Sequence, residues 1–240
     1  MPARIITVAA AKGGVGKTTL AYELAAGLEG VLVDLDWDAG GATRMWGFDP
    51  TAAARAPLLD ALEAGPEGRP PRARRRANQP ALVPSHPDLA ASRIDHDLVA
   101  DCLVAWAAAA PEPYLVVDTH PGANPLTDGA MQAADLVVVP VVLGGREMAA
   151  LEAILHDFAD YRLLLVPNMV PPVPPRRFVE RLATLAGDDL AVAPPVSEHR
   201  WIRRRLRRAA LTRQPNPGVR VRAAAAEFGA VAADVEVACG

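Results

Sequence analysis

The chain has 240 residues, of which 51% are hydrophobic, and a formal net charge of −3. This size allows a large buried core, while the charge provides no global attraction to nucleic acid. The two cysteines lie far apart, which argues against a disulfide framework or a cysteine-based metal site. The chain has no secretory pattern and no apolar run of ~18 residues, so we expect a cytoplasmic protein without a membrane span.

Short apolar runs alternate with longer helical patterns along the chain. The predicted strands are Ile5–Ala9, Val31–Leu35, Ala81–Val83, Tyr114–Val117, Leu136–Val139 and Leu163–Val166. The predicted helices are Lys17–Leu28, Ala90–Ala109, Arg146–Tyr161, Arg176–Leu185, Glu198–Arg208 and Arg220–Val235. Because most of these strands are apolar throughout, both faces of their sheet should be covered. The pattern predicts one α/β domain over residues 1–240, with a doubly wound, mostly parallel sheet flanked by helices.

The segment between the first strand and the first helix has the composition of a phosphate-binding loop. Its glycines let backbone N–H groups converge on an anion, and the helix N-terminus adds the positive end of its dipole. Lys17 brings a compact charge to the β- and γ-phosphates, and the Thr18 hydroxyl can ligate Mg²⁺. The predicted nucleotide contacts are Gly13, Gly14, Val15, Gly16, Lys17, Thr18 and Thr19.

The chain contains only two lysines, Lys12 and Lys17, and its other 23 basic residues are arginines. The sequence K-G-G-x-G-K-T-T resembles the deviant Walker A motif of the ParA/MinD family of ATPases. The resemblance implies a P-loop fold, with ATP and Mg²⁺ as cofactors. It also implies that Lys17 acts within its own subunit, while Lys12 reaches the nucleotide of the partner in an ATP-bound homodimer. The wide planar fork of arginine cannot replace a compact ammonium between phosphates.

The second strand ends in carboxylates at V-L-V-D-L-D-W-D, residues 31–38. Asp34 and Asp36 match the D-x-D of the family, which implies that Asp36 positions the attacking water, senses the γ-phosphate and contributes to the metal site. Trp37 and Asp38 replace the proline and glutamine that are usual in the family, so this loop should adopt its own geometry. We interpret Asp38 as a helix N-cap or a solvated acid, with a role in the switch loop as the alternative.

Two later strand ends should face the same loop. The strand Y-L-V-V-D resembles a Walker B strand, and Asp118 at its end is expected beside the metal, through a water. His120 replaces a family proline and either packs or titrates near the γ-phosphate. Gly122 would supply a backbone N–H near the same phosphate. Asn168 matches the asparagine that reads the adenine edge, although a simple turn residue is the alternative.

Arginines are concentrated in two parts of the chain. Residues 199–226 hold nine arginines and no acid, and the predicted helix there would carry a basic face within a helical region of about residues 199–222. Such a face favours sequence-independent binding of the DNA backbone. The predicted DNA contacts are Arg200, Arg203, Arg204, Arg207 and Arg208. A second cluster, Arg69–Arg76, lies in a proline-rich stretch that we predict to be an exposed, flexible loop.

The leading hypothesis is a nucleoid-associated ParA-type ATPase that partitions plasmid or chromosomal DNA, without an N-terminal helix-turn-helix domain. A ParB-like or cargo-adaptor protein would stimulate its hydrolysis of ATP. The alternatives are a positioner of a protein cargo on the nucleoid, a MinD-like membrane-associated regulator, and an ATP-binding switch with negligible hydrolysis. Stable membrane association is not expected, because residues 223–240 contain no Lys or Arg.

Overall fold

In the computed structural model, one seven-stranded sheet forms the centre of the molecule, and residues 1–10, 12–38, 41–52, 56–205 and 209–240 are described. All of its paired strands are parallel, in the order β3-β2-β4-β1-β5-β6-β7. The strands are β1 Arg4–Val8, β2 Val31–Asp34, β3 Ala81–Val83, β4 Tyr114–Asp118, β5 Leu136–Val141, β6 Leu163–Pro167 and β7 Ala191–Val192. The six predicted strands are confirmed to within two residues at each end. The seventh was missed because it is two residues long and exposed.

Helices cover both faces of the sheet, which confirms the doubly wound α/β prediction. They are α1 Lys17–Gly27, α2 Ala42–Trp46, α3 Pro57–Glu63, α4 His96–Ala109, α5 Pro125–Gln132, α6 Gly145–Asp157, α7 Arg176–Ala186 and α8 Val219–Cys239. Helices α1 and α8 pack on one face, with α2 at its edge. Helices α3 to α7 contribute to the two clusters on the other face. Among the described residues, no helix is both long and apolar enough to cross a bilayer.

The register of the sheet determines where the acidic residues lie. Asp34 at the end of β2 is paired with Asp118 at the end of β4, and β1 runs beside β4 and leads into the glycine-rich loop. Because all strands are parallel, the loops that follow them open at one edge of the sheet, where ligands of such folds bind.

The predicted helix Glu198–Arg208 is wrong over its described part. Residues Ile202–Arg204 form a single 3₁₀ turn and Arg205 has an extended backbone, while residues 206–208 lie outside the described residues. The basic region of about residues 199–222 is therefore mostly non-helical, and α8 begins only at Val219. Tertiary hydrogen bonds anchor both ends of this segment. Local helical periodicity does not predict such bonds.

Two buried or half-buried glutamates provide these anchors. Glu227 on α8 accepts hydrogen bonds from the backbone N–H and hydroxyl of Ser197 at 3.0 and 2.8 Å, and it lies 2.8 Å from His199 Nε2. Glu23 on α1 is 1% exposed and accepts the Leu211 N–H at 2.8 Å. Arg205 Nη1 lies 3.4 Å from the same carboxylate. The basic segment is thereby attached to α1, which starts at the glycine-rich loop.

The buried Glu23 carboxylate predicts a specific pH dependence of stability. Burial raises the pKa of Glu23, while the Leu211 N–H and the Arg205 charge oppose the rise. The folded protein therefore binds a proton more tightly than the unfolded chain, and this contribution to stability is lost as the pH rises through the folded-state pKa. We expect the unfolding free energy of the wild type, relative to Glu23→Gln, to fall as the pH rises above 4.5, the ordinary pKa of a glutamate. Urea denaturation measures this difference.

Glu180→Gln is the matched control, because Glu180 is an exposed residue of α7. Its difference from the wild type should show no comparable fall. A Glu23→Gln difference that does not change with pH would show that Glu23 keeps an ordinary acidity in the fold.

Candidate functional site

A cleft of about 790 Å³ opens at the carboxyl edge of the sheet. Several separate parts of the sequence line it, and three of these were singled out from the sequence. These are the glycine-rich loop, the Asp36–Asp38 loop and Asn168. The rest of the lining comes from residues 196–204 and from Met45, Pro121 and Phe228. The wall 196–204 overlaps the arginine region that was predicted to bind DNA, and no nucleotide-binding motif marks it in the sequence.

The backbone of the glycine-rich loop needs its glycines. Gly14 and Gly16 have φ angles of 82° and 90°, in the region that disfavours other residues, and Gly16 is the N-cap of α1. A Cβ on Gly16 would lie 2.5 Å from the amide nitrogen of Asn168, whereas one on Gly13 or Gly14 would meet nothing within 4 Å. The loop is thus tightly packed on its Asn168 side and open on the other, as a cradle for phosphates requires.

Lys17 is a buried cation at the start of α1. Its side chain lies near the carboxylates of Asp118 and Asp36. Burial lowers the pKa of Lys17, and the negative charges of Asp118 and Asp36 oppose that shift. The site therefore holds a lysine and carboxylates together, largely out of water, beside an open loop of backbone amides.

Asp34 and Asp118 are both fully buried but differ in their hydrogen bonds. Asp34 accepts the Thr43 N–H and hydroxyl, both at 2.6 Å, and the Asp36 N–H at 3.1 Å. Burial raises the pKa of Asp34 to about 7 despite these bonds. Asp34 thus organises the loop between β2 and α2. The D-x-D match did not predict this structural role.

Neither carboxylate oxygen of Asp118 has a hydrogen-bond partner with proper geometry among the described residues. Burial and the neighbouring Asp34 raise the pKa of Asp118, and the side chain of Thr18 opposes the rise. An orphaned buried carboxylate costs about 1–3 kcal/mol, so its retention indicates a ligand. Oxygen donors from Asp118, Thr18 and Asp36 are the set that Mg²⁺ prefers, and they fit the predicted metal site.

Three unusual residues of the site contact one another. The rings of Trp37 and His120 stack, with centroids 3.9 Å apart and an interplanar angle of 4°. His120 Nε2 lies 3.3 Å from a carboxylate oxygen of Asp38. The Asp38 N–H donates to Asp36 Oδ1 at 3.1 Å. His120 therefore packs against the Trp37 ring, and packing was one of its two predicted roles.

Asp38 is largely exposed, as predicted for a solvated acid, but the prediction of a helix N-cap is wrong. The N-cap of α2 is Gly41, because Asp34 directs the chain into α2 through Thr43. We name the contact of Trp37, Asp38 and His120 the Trp–His clasp. It joins the loop after β2 to the loop after β4.

Asn168 and Gly122 take well-defined positions. Asn168 is buried just after β6, lines the cleft, and donates its side-chain N–H to Val15 O at 2.7 Å. Its predicted role in reading the adenine edge stays a prediction. Gly122 has a φ of 84°, and its N–H donates to Ala10 O at 3.4 Å.

Lys12 lies outside the cleft that contains Lys17. It is exposed, and its Nζ donates to the carbonyl of Arg146 at the start of α6, at 3.3 Å. In the single protomer Lys12 thus lines a different, smaller hollow. The prediction that it acts across a dimer stays a prediction.

The predicted DNA-binding arginines are only partly described. Arg200 and Arg204 are exposed at the mouth of the cleft, and Arg200 is paired with Glu198. The side chain of Arg203, and Arg207 and Arg208 as a whole, lie outside the described residues. Two other arginines of the segment have structural contacts: Arg205 with Glu23, and Arg213 with the carbonyls of Ala26 and Gln79.

Comparisons with known proteins agree with this arrangement. The family model described as "AAA domain" matches residues 3–168. The chain is 34% identical over 182 residues to the chromosome partitioning protein ParA of Caulobacter vibrioides, covering 70% of this chain and 67% of that protein.

Two solved structures share the fold at low sequence identity. Apo McdA from Cyanothece superposes with a TM-score of 0.75 at 18% identity, over 99% of both chains. A putative plasmid partition protein from Borrelia burgdorferi, bound to AMPPNP, gives a TM-score of 0.70 at 20% identity. That match covers 98% of this chain and 99% of the other.

The two buried aspartates predict opposite effects of the same substitution. Asp118→Asn removes a buried carboxylate whose oxygens accept no hydrogen bond from a described residue, and it should raise the unfolding free energy of the ligand-free protein by about 1–2 kcal/mol. Asp34→Asn removes an acceptor that holds Thr43 and should lower it by about 1–3 kcal/mol. Denaturant unfolding without nucleotide or metal measures both. Equal destabilisation by the two variants would contradict the unpartnered state of Asp118.

Proposed function

Because the chain belongs to the ParA/MinD family of ATPases, we propose that it is a ParA-type ATPase for the partitioning of plasmid or chromosomal DNA. ATP binding drives dimerisation and non-specific DNA binding, and a ParB-like or cargo-adaptor protein stimulates hydrolysis. The dimer acts at the nucleoid, in the cytoplasm. The observation that supports this proposal most strongly is the convergence of Lys17, Thr18, Asp36 and the orphaned Asp118 at one open glycine loop.

Each group has a defined task in this proposal. The backbone N–H groups of residues 13–19 and the Lys17 ammonium bind the β- and γ-phosphates. Thr18, Asp36 and Asp118 would hold Mg²⁺ with their oxygen atoms. When bound, Mg²⁺ neutralises charge that develops on the phosphate oxygens. The Asn168 carbonyl oxygen binds the adenine edge, while its N–H keeps its bond to Val15.

Asp36 is the residue that orients the attacking water. Its carboxylate is half-buried, and burial raises the pKa of Asp36 while the Asp38 N–H, His120 and Lys17 oppose the rise. The Asp38 N–H fixes the direction of the carboxylate. Positioning of this kind is the main contribution that a protein makes to phosphoryl transfer.

Lys12 completes the site of the partner in the ATP-bound homodimer. In the single protomer its ammonium bonds only weakly to the Arg146 carbonyl and is exposed, so little is lost when it swings to a phosphate. This supports a role that depends on a second copy. The similar Borrelia protein carries an ATP analogue, which supports a nucleotide in the corresponding cleft.

A slow ATP-dependent switch is the second candidate, and the Trp–His clasp favours it. Trp37 and His120 stand where the family has prolines, and together they restrain the loop that carries Asp36. A restrained loop would hold the ATP state for long periods. This candidate shares the cleft and the dimer with the first, and differs only in turnover.

Substitution of the two lysines should remove two different properties of the protein. Lys17→Ala should abolish nucleotide binding in calorimetry, because the phosphates lose their buried counter-charge. Lys12→Ala should keep ATP affinity within about threefold and lose ATP-dependent dimerisation on light scattering. A Lys12→Ala protein that still dimerises with ATP would contradict the role across subunits.

The Trp–His clasp predicts an effect on kcat rather than on KM. His120→Ala should lower kcat of phosphate release by about tenfold, equivalent to about 1.4 kcal/mol, because the Asp36 loop loses its restraint. KM for ATP should change little. His86→Ala is the control, since His86 caps a 3₁₀ turn away from the cleft. A turnover that rises in His120→Ala would instead support the slow switch.

A further inference from the structure

The second arginine cluster lies in residues 69–79, a segment with a defined position that we call the strap. Arg74 forms an antiparallel bridge with Leu82 of β3, with N–H to carbonyl distances of 2.7 and 2.9 Å. The prediction of a flexible loop is therefore wrong in this part. The arginines at positions 74 to 76 are nevertheless exposed.

The strap contacts the basic C-terminal segment directly. The Ala210 N–H donates to the Asn78 carbonyl at 2.8 Å, and Arg213 Nη1 donates to the Gln79 carbonyl at 3.3 Å. The two arginine clusters are more than 120 residues apart in the sequence. The fold thus joins them at one side of the molecule.

Neighbouring arginines of the strap lie on opposite faces of the sheet. The Arg74 guanidinium lies 4.1 Å from the ring centroid of Phe48, and that of Arg76 lies 5.1 Å from the centroid of Trp46. Trp46 belongs to the cluster that also contains Ala210 and Leu211 of the basic segment, and Phe48 packs against that cluster. Arg75 points the other way, where it pairs with Glu112.

Stacking on aromatic rings holds the guanidinium groups of Arg74 and Arg76 in positions from which they can bind phosphates. A guanidinium that lies on a ring keeps its N–H edge available for bidentate hydrogen bonds to oxygen anions. Neither of the two forms an ion pair with a described residue, in contrast to Arg75. Because their positions are fixed before binding, less side-chain entropy is lost on contact.

We propose that Arg74 and Arg76 extend the basic C-terminal segment into one continuous surface for the phosphate backbone of double-stranded DNA. The inference rests on the proposed function, since it adds a second group of contacts to the same DNA complex. Arg75 on the opposite face takes no part. Trp46 closes α2, the helix that follows the Asp36 loop, so the supports of these arginines adjoin the nucleotide cleft.

The test is DNA binding by the full chain with Mg²⁺ and a non-hydrolysable ATP analogue, measured by anisotropy of a fluorescent duplex over a range of salt concentrations. R74Q/R76Q should weaken binding and reduce the slope of log K against log salt by about 2 per subunit, since each lost phosphate contact contributes about 0.9. R74K/R76K keeps both charges and should retain the slope. R75Q is the matched control and should bind as the wild type does.

The affinity of each variant for the ATP analogue is measured first, to confirm that its nucleotide cleft is intact. An unchanged slope in R74Q/R76Q, with a reduced one in R200Q/R204Q, overturns the strap proposal and leaves the proposed function standing. Unchanged slopes in both pairs overturn the strap proposal and place the DNA contacts on other residues, whereas a wild-type protein that binds no duplex contradicts the proposed DNA binding itself. If R74Q/R76Q loses binding to anionic phospholipid vesicles but keeps its binding to DNA, the proposal is also overturned, because the strap is then a membrane-binding surface. If the double variant unfolds, R74Q and R76Q are measured singly, each with an expected reduction of about 0.9.

Discussion

The structure depends on one buried group of charges at the carboxyl edge of the sheet. The parallel register sets Asp34 beside Asp118, and Lys17 is the buried lysine among these carboxylates. Like charges this close, in a region with little water, oppose one another, and Lys17 offsets only part of the cost. Asp34 is stabilised by Thr43 and Asp36, whereas Asp118 has no such bonds. In the proposed function, a bound Mg²⁺ would supply the positive charge that this group lacks.

Helices α1 and α2, which begin close to this group of charges, also support the segments that carry the surface arginines. Helix α1 starts at Lys17 and, less than two turns later, presents Glu23 to the backbone of the basic segment. Helix α2 starts at Ala42, next to the Thr43 that Asp34 holds, and ends at Trp46 beneath Arg76. Short, rigid paths therefore run from the phosphate loop and from the switch loop to the arginines. Such paths are a physical route by which nucleotide could govern an outer surface.

The sequence predicted features that depend on local composition. Buried parallel strands are apolar throughout, so β3 was located to the residue, and the glycine loop was evident from its spacing. Features set by distant contacts were missed. The arginine helix was wrong because Glu23 and Glu227 hold that segment from other helices. The stacking of Trp37 on His120 joins residues 83 positions apart, and α2, α3 and α5 are too short for a periodic signal.

We expect the buried carboxylates at the carboxyl edge of the sheet to take part in binding a metal-bound triphosphate. Calorimetric titration of the wild type with a non-hydrolysable ATP analogue, with Mg²⁺ and then with a chelator, tests it most directly. The account predicts binding at least about tenfold tighter with Mg²⁺, because only then is the Asp118 charge balanced. Equal affinity under the two conditions would contradict it.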